Sequence, residues 1–155
     1  MNPGPSSDSA DASFLAGVPA LIHRYRYGLA ALSVVGIFAL SSVPFHDPPR
    51  FRGWDKQLHV VEFFLVGLVI LNGMTAGFRR RSWLSLGGAW AILIVLSILN
   101  EVYQRWIPGR SGDWNDMLAS SLGGSVAVLL GAIVMAIGAL RSRRSSREGP
   151  PSIPP

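Results

Sequence analysis

Four long apolar runs with very few charged residues constrain this chain more than any other feature of its sequence. They cover about residues 27–45, 57–77, 84–103 and 114–140. A transmembrane helix needs about 20 mainly apolar residues, so each run is long enough to cross a bilayer, and the last could also tilt or extend beyond it. Charged residues make up only 15% of the chain, against roughly 25% in soluble domains. The sequence therefore predicts an all-α membrane bundle of four transmembrane helices.

The four runs define one membrane domain, residues 23–140, between two polar tails. Residues 1–22 are expected to be a mostly disordered tail, because the Ser, Asp, Pro and Gly that dominate its start offer little to bury. A short interfacial helix is expected around residues 17–26. Residues 141–155 form a basic and Pro-rich tail. Residues 1–13 contain no basic residue, and the first run follows Arg24 and Arg26 and is long enough to stay as a helix. We therefore interpret it as a retained helix rather than a signal peptide.

Lysine and arginine predict the orientation of the bundle. With four spans both termini lie on one side, and that side would carry nine basic residues: Arg24, Arg26, Arg79, Arg80, Arg81, Arg141, Arg143, Arg144 and Arg147. The other side would carry five: Arg50, Arg52, Lys56, Arg105 and Arg110. By the positive-inside rule, both termini are expected to be cytoplasmic.

Because the basic residues lie beside apolar runs, we expect no nucleic-acid partner. The chain has no cysteine, which excludes disulfides and thiolate chemistry.

Six acidic residues are predicted at the outer ends of the spans: Asp47, Asp55, Glu62, Glu101, Asp113 and Asp116. Ionisable groups near bilayer depth are costly and usually indicate function. Asp55, His59 and Glu62 are spaced i, i+4, i+7, which places them on one face of a helix. Asp47 is interpreted as a loop charge. For Glu62, a structural hydrogen bond to a neighbouring helix is the alternative to a functional role.

Glu101 ends the third run and has two interpretations. It could form an exposed ion pair with Arg105, which is worth little. Alternatively, it points into the bundle, because it is expected to share a small-residue face suited to close helix contact with Gly87, Ala91, Ile94 and Ile98.

The fourth run begins after a Pro-Gly turn signal with two aspartates. Asp113 is well placed as a helix N-cap and Asp116 as the third helical residue. Asp116 also begins a stripe that permits a tight helix crossing: Asp116, Ser120, Gly124, Ala127 and Gly131. Arg110 lies in the preceding loop as a partner for a carboxylate or a phosphate. We expect these groups to converge with His59 at one outer site shared by three helices.

The segments DKQLHVVEFFLVGL and NEVYQRWIPGRSGDWNDMLASSLGG resemble the VanZ-like family of bacterial membrane proteins over roughly residues 27–138. The family pattern is matched by Asp55, Lys56, His59, Glu101, Gln104, Pro108, Gly109, Arg110, Asp116 and Gly123. Two positions depart from it, with Phe63 where tyrosine is common and Ser120 where asparagine is usual. The resemblance implies a multi-pass protein of the bacterial plasma (inner) membrane, with a link to sensitivity to teicoplanin-type glycopeptides. It implies no particular reaction.

Three hypotheses for function stay open. In the first, the site binds or handles an envelope lipid-linked precursor, such as an isoprenoid-linked or other anionic head group, through Asp55, Lys56, His59, Glu101, Gln104, Arg110 and Asp116. In the second, the protein is an enzyme acting on a lipid-linked glycan, and its candidate acid–base groups are His59, Glu62, Glu101 and Asp116. In the third, the cluster only joins helices in a scaffold or partner subunit. The mixed histidine and carboxylates could also bind a divalent metal, but we see no recognised metal-ligand spacing and predict no metal or cofactor. Oligomerisation stays open.

Overall fold

The computed structural model describes residues 20–43, 54–75, 82–108, 110 and 112–147, the side chains of 145–147 excepted. These residues form four main helices, α1 (Arg26–Ser41), α2 (Trp54–Thr75), α3 (Trp83–Gln104) and α4 (Trp114–Arg147). No strand occurs among the described residues, so the all-α prediction is confirmed. The predictions about Asp47, the triple-arginine loop and the distal parts of both tails lie outside the described residues.

Three of the four helices have the length and composition of membrane spans. They are α2, α3 and the Trp114–Arg144 part of α4. Helix α1 has 16 residues, and at 1.5 Å per residue it is about 24 Å long, shorter than the roughly 30 Å hydrocarbon core. Residues 20–24 are also helical, and Leu29 N–H continues the pattern by bonding Tyr25 O at 2.9 Å. The four-span prediction is therefore confirmed for three helices, with a shorter apolar helix as the fourth.

Helix α2 contacts each of the other three helices, and its largest contact is with α4. These two helices approach closely because glycine lies at the crossing. A Cβ at Gly123 would overlap the Val60 carbonyl group, and one at Gly67 would lie 2.7 Å from Ala127 Cβ. The predicted small-residue stripe of α4 is confirmed as a buried face, since Asp116, Ser120, Gly124, Ala127 and Gly131 are all buried.

The face predicted for α3 was wrong, although Glu101 itself is buried. Gly87, Ala91 and Ile98 are exposed, and the packed face carries Leu86, Ala89, Leu93, Ser97 and Asn100 instead. At about 100° per residue, Glu101 lies at the edge of the packed face. On one side of Glu101 are the buried residues such as Ser97 and Asn100, and on the other side are Gly87 and Ala91, which are exposed.

One end of the bundle collects most of the buried polar side chains. The apolar core lies along the helices and includes Ile37, Phe63, Ile70, Leu71 and Leu93. The polar side chains gather instead where α1 and α3 end and where α2 and α4 begin. We call this region the polar end. Its buried polar members are Ser41, His59, Asn100, Glu101, Gln104 and Asp116.

Candidate functional site

His59 lies between two aspartates at the polar end. Its Nε2 atom is 3.8 Å from Asp55 Oδ1 on the same helix and 4.0 Å from Asp116 Oδ2 on α4. His59 is 4% exposed and Asp116 is 5% exposed. Neither ring nitrogen of His59 has a hydrogen-bond partner among the described residues, because both carboxylates lie beyond hydrogen-bond length. The structure thus brings His59 and Asp116 together, as expected from their helix faces.

Lys56 joins the start of α2 to the start of α4. Its Nζ donates to Asp113 Oδ2 at 3.1 Å and to Asp116 Oδ1 at 3.2 Å. Asp113 is the N-cap of α4, since its Oδ1 accepts from the Asn115 backbone N–H at 2.9 Å. That backbone hydrogen bond, followed by the one from Lys56, holds the pKa of Asp113 below its usual value. The predicted cap is therefore present, and its carboxylate also pairs with Lys56.

Arg110 connects the loop after α3 to the end of α1 and the start of α2. Its Nη1 donates to the backbone carbonyl of Ser41 at 2.7 Å, and its Nη2 lies 3.6 Å from Asp55 Oδ1. Only 10% of the Arg110 side chain is exposed. The predicted carboxylate partner of Arg110 is therefore Asp55. Gly109, the middle residue of the Pro-Gly-Arg turn, lies outside the described residues.

Gln104 belongs to a separate polar group between α1 and α3. Ser41 Oγ donates to Asn100 Oδ1 at 2.7 Å, and Gln104 Nε2 donates to Ser41 Oγ at 3.3 Å. Neither Ser41 nor Asn100 was predicted to belong to the site. Two signals were available for them, because Asn100 lies one turn before Gln104 on the same helix face and Ser41 is a polar residue near the end of the first apolar run. Because Ser41 was not recognised, the contribution of α1 to the site was also missed.

The two glutamates do not pair with His59. Glu101 lies beneath the loop before α4, where a Cβ at Gly112 would be 2.7 Å from Glu101 Oε1. Glu62 faces a cavity between α1 and α2. Among the described residues, Glu62 Oε1 and Glu101 Oε1 are buried without a hydrogen-bond partner. The expected convergence thus holds for Asp55, His59 and Asp116, with these two carboxylates at its margins.

The cavity between α1 and α2 has a volume of about 560 Å³. Most of its wall is apolar and includes Gly36, Ile37, Leu40, Val61 and Leu65. The polar residues that line it are Ser33, Ser41, Asp55, His59, Glu62 and Arg110. All but Ser33 belong to the polar end or the first three turns of α2, so the polar groups of the cavity wall are concentrated toward the polar end.

Carboxylates outnumber cations in this region. The described residues of the polar end and its margins carry five carboxylates (Asp55, Glu62, Glu101, Asp113 and Asp116) and three cationic side chains (Lys56, Arg105 and Arg110). Lys56 and Arg110 already lie against carboxylates. Asp55, His59 and Asp116 each offer one ligand atom, and these three atoms lie within 4.8 Å of one another. The three side chains can therefore hold a cation.

Phe63 and Ser120 occupy buried positions in the α2 and α4 helices. Phe63 is fully buried and Ser120 is 1% exposed. Both residues depart from the family pattern, and their burial places them within the packed bundle rather than at its surface.

Comparison with known proteins identifies the family. The sequence profile of the VanZ/LLP1 family matches residues 14–135, which include α1, α2, α3 and most of α4. No curated protein and no solved structure matches the chain significantly. The match covers well over half of the chain and all of the polar end, and three of its helices are suited to membrane spans. The chain therefore belongs to the VanZ/LLP1 family and is a membrane protein of that family.

Proposed function

We propose that this protein binds a membrane amphiphile of the isoprenoid-linked or anionic lipid class, with the head group at the polar end and the apolar chain in the cavity between α1 and α2. The observation that carries the proposal is the composition of the cavity wall. A cavity whose wall is mostly apolar but also carries Asp55, His59, Glu62 and Arg110 complements a molecule with an apolar chain and a polar head. Ligand sites usually combine an apolar wall with a few polar groups in this way.

The unpartnered polar atoms support a polar ligand at this end. Buried polar atoms in native proteins nearly always have hydrogen-bond partners. His59 Nδ1, His59 Nε2 and Glu62 Oε1 are buried without one among the described residues, and both residues line the cavity. A head group with hydroxyl or phosphate oxygens can donate to or accept from these atoms.

Among the residues that the structure describes, Arg110 is the one arginine or lysine that lines the cavity. A guanidinium group has five N–H donors, and Ser41 O accepts only from Nη1, so donors remain for an anionic head group. Lys56 does not line the cavity, and it is bound to Asp113 and Asp116. We therefore assign Lys56 the role of holding Asp116 in place rather than a direct contact with the ligand.

The location of the site follows from the topology expected of the chain. Lysine and arginine counting favours cytoplasmic termini, and the polar end is then at the outer face of the bacterial plasma membrane. Lipid-linked precursors of the envelope reach that face. In this proposal, a change in the amount or presentation of such a precursor links the protein to sensitivity to teicoplanin-type glycopeptides.

A scaffold role is the second candidate, and one observation favours it. Ser41, Asn100 and Gln104 form a buried hydrogen-bond group between α1 and α3 that does not line the cavity except through Ser41. Such a group joins helices without any ligand. The scaffold and lipid-binding functions differ in whether the cavity itself is needed.

A cavity-filling variant tests the proposal directly. A Cβ at Gly36 meets nothing within 4 Å, so the leucine side chain of Gly36→Leu fills part of the cavity without a steric clash at its Cβ. Gly28→Leu is the matched control, because Gly28 is on the same helix, also has open space and does not line the cavity. We expect the wild type and Gly28→Leu to retain the same isoprenoid or anionic lipids during purification, measured by mass spectrometry, and Gly36→Leu to lose them.

The head-group contact is tested with Arg110→Ala against Arg105→Ala. Arg105 lies at the same end of α3, and its described contact is with the Trp114 ring at 5.8 Å. Crosslinking of a photoreactive anionic lipid analogue should fall in Arg110→Ala and persist in Arg105→Ala. Equal lipid inventories in Gly36→Leu and the wild type, together with equal crosslinking in both arginine variants, would contradict the proposal and favour the scaffold.

A further inference from the structure

Three ligand atoms of the right kinds meet at the polar end. One imidazole nitrogen and two carboxylate oxygens, from His59, Asp55 and Asp116, lie within 4.8 Å of one another. Asp55 and His59 are one helical turn apart on α2, a spacing that presents two ligands on one helix face. Asp116 comes from the first turn of α4. All three side chains are therefore attached to helices, which hold ligands more precisely than loops do.

We propose that Asp55, His59 and Asp116 bind one divalent transition-metal ion, of the Zn²⁺ or Mn²⁺ class. A mixed set of one imidazole and two carboxylates suits such ions, whereas Ca²⁺ prefers oxygen ligands alone. This proposal departs from the expectation of a site without metal. The sequence carries no recognised spacing because the third ligand comes from a different helix.

His59 supplies the second, independent observation. Its side chain is 5% exposed, and neither ring nitrogen has a hydrogen-bond partner among the described residues. Buried polar groups are normally paired, and Nε2 faces both aspartates at 3.8 and 4.0 Å. Metal–ligand bonds of about 2.0–2.2 Å place neighbouring ligand atoms roughly 3–3.5 Å apart. Side-chain movements of under about 1 Å therefore bring the three atoms to bonding distance of one ion.

The surrounding cations leave room for the ion. Lys56 donates to Asp116 Oδ1, whereas the oxygen that faces His59 is Oδ2. Arg110 Nη2 lies 3.6 Å from Asp55 Oδ1, the same oxygen that faces His59. That distance is beyond hydrogen-bond length, so Arg110 does not occupy this oxygen with a hydrogen bond. Asp113 is a further carboxylate beside Asp116, since both accept from Lys56 Nζ. A divalent ion would thus offset the excess of carboxylates over cations at this end.

The position of the ion relative to the cavity suggests its use. Asp55 and His59 both line the cavity, so coordination positions not filled by protein face it. A phosphate or pyrophosphate oxygen could take such a position. This role for the ion rests on the proposed lipid-binding function, whereas the metal site itself does not.

The test measures metal binding by purified protein in detergent, using an affinity tag without histidine. After treatment with EDTA and removal of the chelator, Zn²⁺ and Mn²⁺ are titrated by calorimetry, and Mn²⁺ binding is followed by electron paramagnetic resonance. We expect one ion per chain. Because loss of an outer partner already reduces metal affinity by roughly 10–100-fold, His59→Ala and Asp116→Asn should weaken binding by about 100-fold or more.

Two further variants separate ligation from a general effect of charge or folding. Asp113→Asn removes a carboxylate from the same end and keeps a good N-cap, so its affinity should stay close to that of the wild type. Lys56→Met removes the cation that holds Asp116 Oδ1, so its affinity should fall by roughly 10-fold, less than in His59→Ala, whereas an effect of charge alone would raise it. Asp116→Asn keeps an acceptor for Lys56, and its elution and melting temperature show whether it folds.

The proposal is overturned if the wild type binds no stoichiometric Zn²⁺ or Mn²⁺, or if a folded His59→Ala protein binds it as tightly as the wild type. A lipid inventory of Gly36→Leu is collected in parallel. Metal binding without any effect of Gly36→Leu on retained lipid supports the metal site and contradicts the proposed function. Loss of lipid in Gly36→Leu with no metal binding in the wild type supports the proposed function and contradicts the metal site.

Discussion

Ser41, at the last turn of α1, donates a hydrogen bond of 2.7 Å to Asn100 Oδ1 on α3. Gln104 Nε2 donates to the same serine hydroxyl at 3.3 Å. All three side chains are buried. This hydroxyl group therefore couples the shortest helix of the bundle to α3.

The first prediction concerns that coupling. Ser41→Ala should lower the free energy of unfolding by about 1–3 kcal/mol, because it leaves a buried donor and a buried acceptor without a partner. Ser33→Ala is the matched control, since the Ser33 hydroxyl donates within its own helix to Ala30 O, and it should change stability by less than about 0.5 kcal/mol. Unfolding in mixed detergent, followed by circular dichroism, measures both. Equal effects of the two variants would show that the α1–α3 bond carries no special weight.

The second prediction concerns the crossing of α2 and α4. Gly123→Ala should destabilise the bundle by about 1–3 kcal/mol, because its Cβ would overlap the Val60 carbonyl group. Gly87→Ala adds the same methyl group to an exposed site with nothing within 4 Å. It should be neutral or stabilising by up to about 1 kcal/mol, since alanine favours helix over glycine. Melting temperatures that shift together in the two variants would contradict a close helix crossing.

The third prediction is a pH dependence that arises at the α4 cap. Hydrogen bonds from the Asn115 backbone and from Lys56 lower the pKa of Asp113 in the folded state. The charged carboxylate therefore stabilises the folded protein above its unfolded pKa of about 3.9, and this contribution is lost as the pH falls through the lower folded value. The melting temperature of the wild type should exceed that of Asp113→Asn above about pH 5, and the difference should close in more acidic buffer. A constant difference down to low pH would exclude this linkage.

The fold and part of the site could be predicted from the sequence, for identifiable physical reasons. Apolar runs of membrane length indicated the helices. The i, i+4 spacing of Asp55 and His59, with Asp116 at the start of a small-residue stripe, placed the three on faces that meet. These inferences needed only the 3.6-residue period and the cost of ionisable groups near the bilayer.

The remaining features of the site depend on information that side-chain patterns do not carry. Arg110 binds the backbone carbonyl of Ser41, an acceptor that every residue possesses, so no sequence signal marks it. The predicted α3 face failed because Gly87 and Ala91, although small, are exposed. Small residues permit close helix packing but do not by themselves determine which face packs. Lys56 was expected to contact the ligand, and its two aspartate partners became apparent only from the fold.

The last prediction is the topology on which an outward-facing site depends. The chain has no cysteine, so single cysteines can be introduced without background labelling. Trp106→Cys places a thiol in the exposed loop at the polar end, where the native side chain is 81% exposed. Arg143→Cys places one at the opposite end of α4. If the positive-inside count holds, a membrane-impermeant maleimide should label position 106 in cells whose plasma membrane is intact and position 143 only after that membrane is permeabilised. The reverse pattern would put the polar end in the cytoplasm, where a cytoplasmic head group rather than an exported precursor would have to be its ligand.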